Sequence, residues 1–500
     1  MKNLGKYNLE IAVFVCGAVV MILELVGSRF LAPHFGTTLY VWSSIIGVIL
    51  ASLSVGYWLG GRVSTVNPGR PVLALIVLTA AFSILALAMV RESILALAVA
   101  VASQTDIRLG AFFAAMVMFS LPNVLLGIVS PYAARLKIDQ VASSGKAVGN
   151  LYAISTAGSI AGTFAAGFWL IGMFGSEQIQ VWMAAALAAV SVLIDFKVLK
   201  LWQVAMLAAA VVWSAYSGTA AADVSVKTFD TSYSRYQVRD IEVGPGLAIR
   251  TLSADKLGTQ SAAFLRNGRP NDELVFEYVK YFLLGRHFVT EIKSTLMIGA
   301  GAYSFPKKFL LEYPDAAIDV VEIDPKLTEI SRQYFDLRDN RRMSIYHEDG
   351  RVFLNRNKKI YDVVYIDTFS SMSIPFQMAT REAALKVYGS LGESGAAMMN
   401  IVSAANGDRG KILRSLYATY RDVFPQVYVF SVKGEDLPEV SNYMLVALKS
   451  RTPPQWTNPD FELNKYLQTR MDQKLENDVP ALTDDRAPME QYVMEIMKGE

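Results

Sequence analysis

The chain has 500 residues, of which 53% are hydrophobic, and its formal net charge at pH 7 is +2. Such an apolar fraction is above the usual range for soluble proteins, and the near-neutral charge gives no sign of nucleic-acid binding. The single cysteine, Cys16, excludes disulfides and cysteine metal sites, and with only three histidines a histidine metal cluster is not expected. We therefore expect neither a metal cofactor nor a nucleic-acid partner.

The N-terminal half, residues 1–218, is predicted to be a polytopic helical membrane domain with about seven to eight helices. The first apolar stretch is too long for a signal peptide and lacks a small-residue cleavage site, so it should remain as a helix. Glycines in GYWLG (56–60) and GSIAG (158–162) have the spacing that lets membrane helices pack closely. Stretches of spanning length lie at 9–31, 39–61, 71–90, 109–132, 147–172, 177–195 and 200–217.

Two ionisable residues, Glu24 and Arg29, fall within the first apolar stretch. Charged side chains are costly inside a membrane and are usually paired or functional. We expect each to pair with another part of the chain, or Arg29 to extend toward the membrane edge. A role in a solute pathway is the alternative.

Beyond residue 218 the pattern becomes that of a soluble α/β chain. Residues 224–290 alternate like strands and then turn helical, which predicts a small β-rich domain over 219–290. From 294 to about 450, strands and helices alternate, which predicts a doubly wound, Rossmann-like domain over 291–500.

Several strand ends in this Rossmann-like domain carry residues expected of a nucleoside site. Ligands of parallel α/β sheets bind beyond the carboxyl ends of the strands, so these residues should converge on one crevice. Glycines let the backbone approach a ligand closely, and an acid after the second strand can accept hydrogen bonds from ribose hydroxyls. The candidate cofactor-binding residues and strand-end acid are Gly299, Gly301, Glu322, Ile323, Asp349, Gly350 and Asp367.

The glycine loop favours a single nucleoside over a dinucleotide. Ser304 occupies the position of the third glycine in the dinucleotide fingerprint, so a pyrophosphate would be poorly held. A carboxylate at Asp349 could accept a hydrogen bond from an adenine amino group. This pattern is typical of S-adenosylmethionine-dependent transferases.

From about residue 231 to 450 the chain resembles the spermidine synthases, and its layout resembles their membrane-fused relatives. The resemblance implies a lid over the nucleoside, S-adenosylmethionine or its decarboxylated form as substrate, ribose binding by Glu322 and adenine binding by Asp349. It also implies that Gln260 and Tyr278 hold the sulfonium side chain. It rests on TQS (259–261), Tyr278, GAGAYS (299–304), VEID (321–324), DG (349–350), YDVVYID (361–367) and the tail LTDDRAPME (482–490).

Three departures from the polyamine-making members put putrescine chemistry in doubt. Those members carry an Asp in the glycine loop, where this chain has Tyr303, and a His-Glu pair where it has Val279–Lys280. They also carry two acids in an Asp-x-x-Asp-Pro turn, of which only Asp367 remains before TFSS (368–371). The missing acids recognise cationic amines through charge-assisted hydrogen bonds worth about 1.5–3 kcal/mol each.

The predicted function is cleavage of the sulfonium–Cγ bond with release of methylthioadenosine, either by aminopropyl transfer or by lyase chemistry without an acceptor. Asp367 is the expected base or electrostatic stabiliser, with a helix N-cap as its structural alternative. Tyr278 and Gln260 complete the predicted catalytic set. The resemblance would allow the tail acids Asp484, Asp485 and Glu490 to reach the site, but they are left out of it, because charged tails are usually solvated. The alternatives are an S-adenosylmethionine-dependent methyltransferase and a transporter with a nucleoside-sensing domain.

The predicted location is the inner (plasma) membrane, with a cytoplasmic catalytic domain, a small-molecule substrate and possible homo-oligomers. With the N-terminus inside, outer loops would hold chiefly Arg91 and Arg108, as the positive-inside rule expects. Seven crossings would nevertheless place the C-terminal half outside. Either 93–105 adds a crossing, or 200–217 does not cross fully. The inner positions would hold Lys2, Lys6, Arg62, Arg70, Arg135, Lys137, Lys146, Lys197 and Lys200.

Overall fold

The computed structural model has two compact units. One comprises Met1–Val224 with Phe229–Ser234, and the other Ser225–Thr228 with Arg235–Glu500. The predicted domain boundaries at 218 and 290 remain predictions. The residues that the structure describes are 7–35, 39–138, 144–198, 226–254, 258–369, 374–433, 440–472 and 475–497.

The first unit is helical. Within the described residues, 6 helices are long and apolar enough to cross a membrane. They match the first six predicted stretches, whereas the seventh, 200–217, lies outside the described residues. The helices are α1 (Asn8–Phe35), α2 (Leu39–Val66), α3 (Arg70–Gln104), α4 (Ile107–Lys137), α5 (Ser144–Ala165, extended by a π turn over Ala166–Leu170) and α6 (Ser176–Ile194).

Residues 93–105 do not form a helix of their own. They belong almost entirely to α3, which runs unbroken for 35 residues, so the option of an eighth crossing there is corrected. The buried Arg91 in this helix lies 2.6 Å from Glu177 Oε1 at the start of α6. A buried cation is costly without a partner, and this ion pair supplies one.

Both predicted glycine contacts occur in the structure. A β-carbon added at Gly56 would overlap the Val124 carbonyl of α4, and one at Gly158 would overlap the Phe14 carbonyl of α1. Close backbone approach is therefore built into the α2–α4 and α1–α5 pairs. Arg29, at the end of α1, donates to the backbone carbonyls of Thr231 and Ser232, which gives it a structural contact.

The second unit begins with a five-stranded sheet in the order β1-β2-β3-β4-β5. Its β2–β3, β3–β4 and β4–β5 pairs are antiparallel, as expected for a chain of alternating pattern joined by short turns. This sheet is the predicted small β domain. Its strands are β1 (Val226–Asp230), β2 (Arg235–Gly244), β3 (Leu247–Ala254), β4 (Thr259–Arg266) and β5 (Arg269–Leu274).

A seven-stranded sheet in the order β11-β12-β10-β9-β6-β7-β8 forms the core of this unit. The β10, β9, β6, β7 and β8 strands are parallel neighbours, and β12 is antiparallel to both β10 and β11. The strands are β6 (Ser294–Ile298), β7 (Ala317–Val321), β8 (Met343–Tyr346), β9 (Tyr361–Ile366), β10 (Leu391–Ser403), β11 (Gln426–Ser431) and β12 (Ser441–Leu448).

Helices cover both faces of the large sheet, as predicted for a doubly wound fold. Alternate residues of β6 enter different cores: Leu296 and Ile298 join one hydrophobic cluster, and Met297 joins the other. Short helical turns cover Glu277–Phe288. The other helices of this unit are α7 (Ser304–Glu312), α8 (Pro325–Tyr334), α9 (Gly350–Arg356), α10 (Phe376–Ala379), α11 (Arg381–Gly389), α12 (Lys411–Arg421), α13 (Phe461–Leu467) and α14 (Met489–Met497).

The strand order fixes where a ligand can bind. From β6 the chain proceeds outward to β7 and β8, then returns to β9 on the other side of β6 and continues to β10. The direction of winding therefore reverses between β6 and β9. In open α/β sheets, the crevice outside the carboxyl ends of the strands at such a switch point is the usual ligand site.

Candidate functional site

The glycine loop follows β6 at the switch point. Gly299 has a φ of 85° and Gly301 a φ of 51°, in the left-handed region that glycine tolerates best. A β-carbon at Gly299 would overlap the backbone oxygen of Asp367, so glycine lets the loop pass close to the end of β9. The Asp367 N–H donates to the Ile298 carbonyl at 2.9 Å, which joins the two strand ends.

Ser261, the last residue of the TQS motif, holds the other side of the glycine loop. Its buried hydroxyl accepts from the Ala302 N–H at 3.0 Å, and a β-carbon at Gly301 would overlap that hydroxyl. Ser304, the replacement for the third glycine, donates to the Ala262 carbonyl at 3.3 Å. The small β domain therefore fixes the loop, a role that the motif did not reveal.

Glu322, predicted to bind ribose, is a buried carboxylate after β7. One oxygen accepts from the Ala300 N–H at 3.1 Å and the other from the Asp324 N–H at 3.0 Å. Burial raises the pKa of Glu322 to about 7, although the backbone donors favour its charged form. Its neighbour Ile323 is 38% exposed, so an apolar side chain lies open beside the acid.

Asp349 lies at the start of α9 and has both carboxylate oxygens engaged. Oδ1 accepts from the backbone N–H groups of Arg351 and Val352, at 2.8 and 3.1 Å, as a helix N-cap does. Oδ2 lies 3.4 Å from the Gln377 amide nitrogen, a long contact that leaves it available to a stronger donor. A β-carbon at Gly350 would overlap the Ile298 side chain, which places this turn against the end of β6.

Asp367 follows β9 and is held by side chains. Its Oδ1 accepts from the Asn400 amide at 3.0 Å, and Asn400 in turn accepts from the Asn442 amide at 3.0 Å. Its Oδ2 lies 3.4 Å from the Tyr278 hydroxyl. Burial raises the pKa of Asp367 to about 6, against the opposing effect of both donors.

The structural alternative for Asp367, a helix N-cap, does not match this geometry. The next described helix, α10, has Pro375 as its N-cap, and the Asp367 oxygens accept from side chains. The described contacts therefore place the carboxylate in a polar chain at the switch point. Such a position suits a base or a stabiliser of positive charge.

Tyr278 links Gln260 to Asp367. The Tyr278 hydroxyl is 3.5 Å from the Gln260 backbone oxygen and 3.4 Å from Asp367 Oδ2. Burial and then the Asp367 charge raise the pKa of Tyr278 well above its ordinary value, so its hydroxyl keeps the proton. The Phe276 ring stacks on the Tyr278 ring with centroids 6.0 Å apart.

Two of the positions where polyamine-making relatives carry acids or a His-Glu pair have structural roles here. The Tyr303 side chain is fully buried, and its hydroxyl lies 2.7 Å from Thr328 Oγ1, which lies 2.9 Å from His347 Nε2. Val279 is buried, and Lys280 is 2.8 Å from Glu277. Neither position provides a carboxylate for an amine.

Three site residues were missed from the sequence, namely Ser261, Asn400 and Gln377. Asn400 had a usable signal, because it is a polar residue within the apolar strand sequence AAMMNIV of β10. A buried amide on a central strand requires partners, and a strand-end acid is a natural one. Gln377 gave no such signal, since glutamine in a short surface helix is common.

Comparison with known proteins gave relatives but no matching family model. A polyamine aminopropyltransferase of Vibrio vulnificus is 31% identical over 186 residues, covering 36% of this chain and 60% of the relative. A probable polyamine aminopropyl transferase of Bifidobacterium longum is 27% identical over 220 residues, covering 44% and 46% respectively. The human eEF1A lysine and N-terminal methyltransferase is 30% identical over 152 residues, covering 28% and 21%. The chain thus spans less than two thirds of each relative's length.

The sheet order, the glycine loop and the strand-end acids define a Rossmann-like domain with a ligand crevice at its switch point. Over less than half of its length, the chain is thus similar to two polyamine aminopropyltransferases.

Proposed function

We propose that this protein is a membrane-integrated spermidine-synthase-like enzyme, related to the membrane-fused members of the family. It binds S-adenosylmethionine or its decarboxylated form without a metal, and breaks the sulfonium–Cγ bond to release methylthioadenosine. The electron pair of that bond leaves with sulfur. The sulfonium carries its own activation, so the protein contributes chiefly orientation and electrostatics.

The observation that carries this proposal is the setting of Asp367. Its carboxylate lies at the switch point, next to the glycine loop, and is aimed by Asn400 and Tyr278. A carboxylate there can stabilise the sulfonium, or accept the proton that is released when the new bond forms. Glu322 and Asp349, on the other side of the glycine loop, are suited to bind ribose and adenine.

The acceptor is the open part of the proposal. In aminopropyl transfer an amine attacks Cγ and gives its proton to Asp367. In lyase chemistry no second substrate enters, and the same carboxylate takes the proton released by elimination. The buried side chain of Tyr303 and the Glu277 partner of Lys280 favour chemistry other than ordinary putrescine transfer, because neither position supplies an anionic contact for a diamine.

A methyltransferase is the second candidate, and the similarity to the eEF1A methyltransferases favours it. Such an enzyme would release S-adenosylhomocysteine instead of methylthioadenosine. A transporter with a nucleoside-sensing domain is the third candidate, and it would release neither product.

One product assay separates these candidates. The purified full-length protein is incubated with S-adenosylmethionine and, separately, with the decarboxylated form, with and without putrescine, and products are identified by mass spectrometry. Methylthioadenosine that requires putrescine indicates transfer, and methylthioadenosine without an acceptor indicates a lyase. S-adenosylhomocysteine would replace the proposal by a methyltransferase. Absence of both, with nucleoside binding retained, would favour the sensor.

We further propose that the first unit is embedded in the inner (plasma) membrane and that the catalytic unit faces the cytoplasm, where the substrate is made. The apolar helices α1 to α6 support the membrane part of this proposal. Labelling of single cysteines introduced at exposed positions such as Arg62 and Arg108, in a Cys16→Ser background, would test the orientation. Thr231 and Ser232, which precede the catalytic unit in the chain, contact Arg29 at the end of the helices where position 108 lies. A cytoplasmic catalytic unit therefore predicts that position 108 is protected from impermeant reagents in intact cells and that position 62 reacts, whereas the reverse pattern, which the positive-inside rule favours, would place the catalytic unit outside.

A further inference from the structure

The segment after residue 481, left out of the predicted site, is attached firmly to the Rossmann-like domain. The buried Leu482 accepts from the Arg381 N–H at 2.8 Å, and its own N–H donates to Thr419 Oγ1 at 2.8 Å. The Asp484 N–H donates to Glu382 Oε2 at 3.0 Å. Backbone groups thus fix this segment on α11 and α12 before any side chain is considered.

The Asp484 carboxylate joins two elements next to the proposed nucleobase position. Oδ1 accepts from the hydroxyl of Thr380, which is fully buried, at 2.6 Å, and Oδ2 lies 2.7 Å from Arg351 Nη2. Thr380 caps α11, whereas Arg351 lies in the first turn of α9. One carboxylate therefore holds the starts of both helices together.

Arg351 links Asp484 to Asp349. Its Nη1 donates to the Gln377 carbonyl and to Thr380 Oγ1, both at 3.1 Å, and its side chain is only 14% exposed. The Arg351 backbone N–H donates to Asp349 Oδ1, while the Gln377 amide approaches Asp349 Oδ2. Two of the three contacts that aim the Asp349 carboxylate thus come from residues that the Arg351–Asp484 pair holds, and the third is the Val352 N–H.

We propose that Asp484 is a positioning residue for nucleobase recognition, and that it keeps Asp349 directed at the exocyclic amino group of adenine through Arg351. This inference rests on the proposed nucleoside site. An isolated exposed ion pair contributes little. This pair differs because Arg351 is mostly buried and shares its donors with Gln377 and Thr380, so loss of Asp484 leaves a restrained cation without its anion.

The test uses the full-length protein and two nucleosides that differ at one group. Calorimetry measures the Kd of 5′-methylthioadenosine and of 5′-methylthioinosine, in which an oxygen replaces the amino group. We expect Asp484→Asn to weaken methylthioadenosine binding about tenfold, the size of one lost charge-assisted contact, and to leave methylthioinosine binding nearly unchanged. The matched control is Asp485→Asn at the exposed neighbouring position, which should keep the parent preference.

The ratio of the two Kd values separates positioning from damage to the fold. Unchanged preference in Asp484→Asn, or equal weakening of both nucleosides, would overturn the positioning role. If Asp484→Asn does not fold, Arg351→Lys serves instead, because a lysine cannot contact Gln377, Thr380 and Asp484 together, and the same loss of preference is expected. If the parent protein binds neither nucleoside, the proposed function fails with this inference. If the parent protein binds methylthioadenosine but Asp484→Asn shows no loss of preference, the positioning role of Asp484 is refuted and the proposed function is not affected.

Discussion

Glu322 and Asp367 lie on opposite sides of the glycine loop, and both are carboxylates whose pKa burial raises, to about 7 and about 6. Their partners differ in kind. Backbone N–H groups of Ala300 and Asp324 hold Glu322, whereas the side chains of Asn400 and Tyr278 hold Asp367. Glu322 is thus held by backbone groups of the glycine loop and of the segment after β7. Asp367 is held by side chains, which can take part in a reaction.

This difference in partners suggests that the two carboxylates have different roles. Backbone donors are fixed by the fold, so Glu322 is suited to binding a group that stays unchanged, such as ribose. The Tyr278 contact is long, at 3.4 Å, so Asp367 Oδ2 can exchange it for a substrate group as charge develops, while Asn400 holds Oδ1 in place. The expected signature is that variants at Glu322 change affinity, whereas variants at Asp367 change turnover.

The largest expected effect comes from Asp367→Asn, which keeps the shape of the side chain and removes its charge. Methylthioadenosine production should fall about 10²–10⁴-fold, because a positioned base or stabilising anion contributes that much. Nucleoside affinity, measured by calorimetry, should change little, since in the proposed site Glu322 and Asp349 hold ribose and adenine. Near-parent turnover in Asp367→Asn would refute the catalytic role.

The next effect should come from Glu322→Ala, which removes a charged acceptor from the ribose side. Affinity for methylthioadenosine should fall about ten- to a hundredfold, corresponding to roughly 1.5–3 kcal/mol. Asp349→Ala should weaken binding by a similar factor, and it also removes a helix cap worth about 0.5–2 kcal/mol. The matched variant Asp349→Asn keeps the cap, so it isolates the effect on the nucleobase. Unchanged calorimetric affinity in Glu322→Ala and Asp349→Asn would remove the site assignment.

The sequence was sufficient for the fold and for the backbone-held acid. Strand ends are visible as apolar runs followed by glycine or an acid, and a parallel sheet brings its carboxyl ends together, so Glu322 and Asp349 could be placed. The side-chain partners of Asp367 could not be placed in the same way. Asn400 is 33 residues from Asp367, and only the β9–β10 register makes them neighbours.

The positions of two further side chains, Tyr303 and Asp484, could not be predicted from the sequence either. Tyr303 is at a site position but lies in the core, whereas Asp484 was expected to be solvated but contacts the domain. Tyr303 occupies a position where polyamine-making relatives carry an acid. Its backbone has a φ of 59°, and its side chain is buried in the core, where its hydroxyl is hydrogen-bonded to the Thr328 hydroxyl. Asp484 has the composition of a solvated tail, yet it contacts Arg351 and Thr380. Composition indicates where a residue type usually lies. The position of the Tyr303 side chain depends instead on its backbone conformation, and that of Asp484 depends on contacts with residues distant in the sequence.

The Asn442–Asn400–Asp367 chain provides a sharper test of the side-chain-held acid. Asn400→Leu removes a donor to the ionised carboxylate, so the pKa of Asp367 should rise further. The acid limb of the pH–turnover profile should move upward by roughly one to two pH units, the equivalent of one hydrogen bond to a charged group. Asn442→Leu, which acts only through Asn400, is the control and should give a smaller shift. An unmoved acid limb in Asn400→Leu would show that Asp367 does not set the profile.

A pH dependence of nucleoside affinity should identify the backbone-held acid. In the proposed site, ribose hydroxyls donate to the ionised form of Glu322, and burial raises the pKa of Glu322 to about 7. Affinity for methylthioadenosine should therefore rise about tenfold between roughly pH 6 and pH 8, as the carboxylate loses its proton. Glu322→Gln, measured across the same range, should bind more weakly with a flatter profile. A parent profile as flat as that of the variant would place the ribose elsewhere.

The smallest expected effect is on stability, and it has the opposite sign. Burial raises the pKa of Glu322 from its ordinary value of 4.5 to about 7, so between these values the folded protein binds more protons than the unfolded chain. Stability conferred by the protonated acid is then present below about pH 4.5 and is lost as pH rises through about 7. In the ligand-free parent, Tm should fall by a few degrees between about pH 5 and pH 8 relative to Glu322→Gln, which lacks the proton equilibrium. Parallel Tm profiles for the two proteins would mean that Glu322 is solvated or paired in the folded state, and the contrast with Asp367 would then rest on turnover alone.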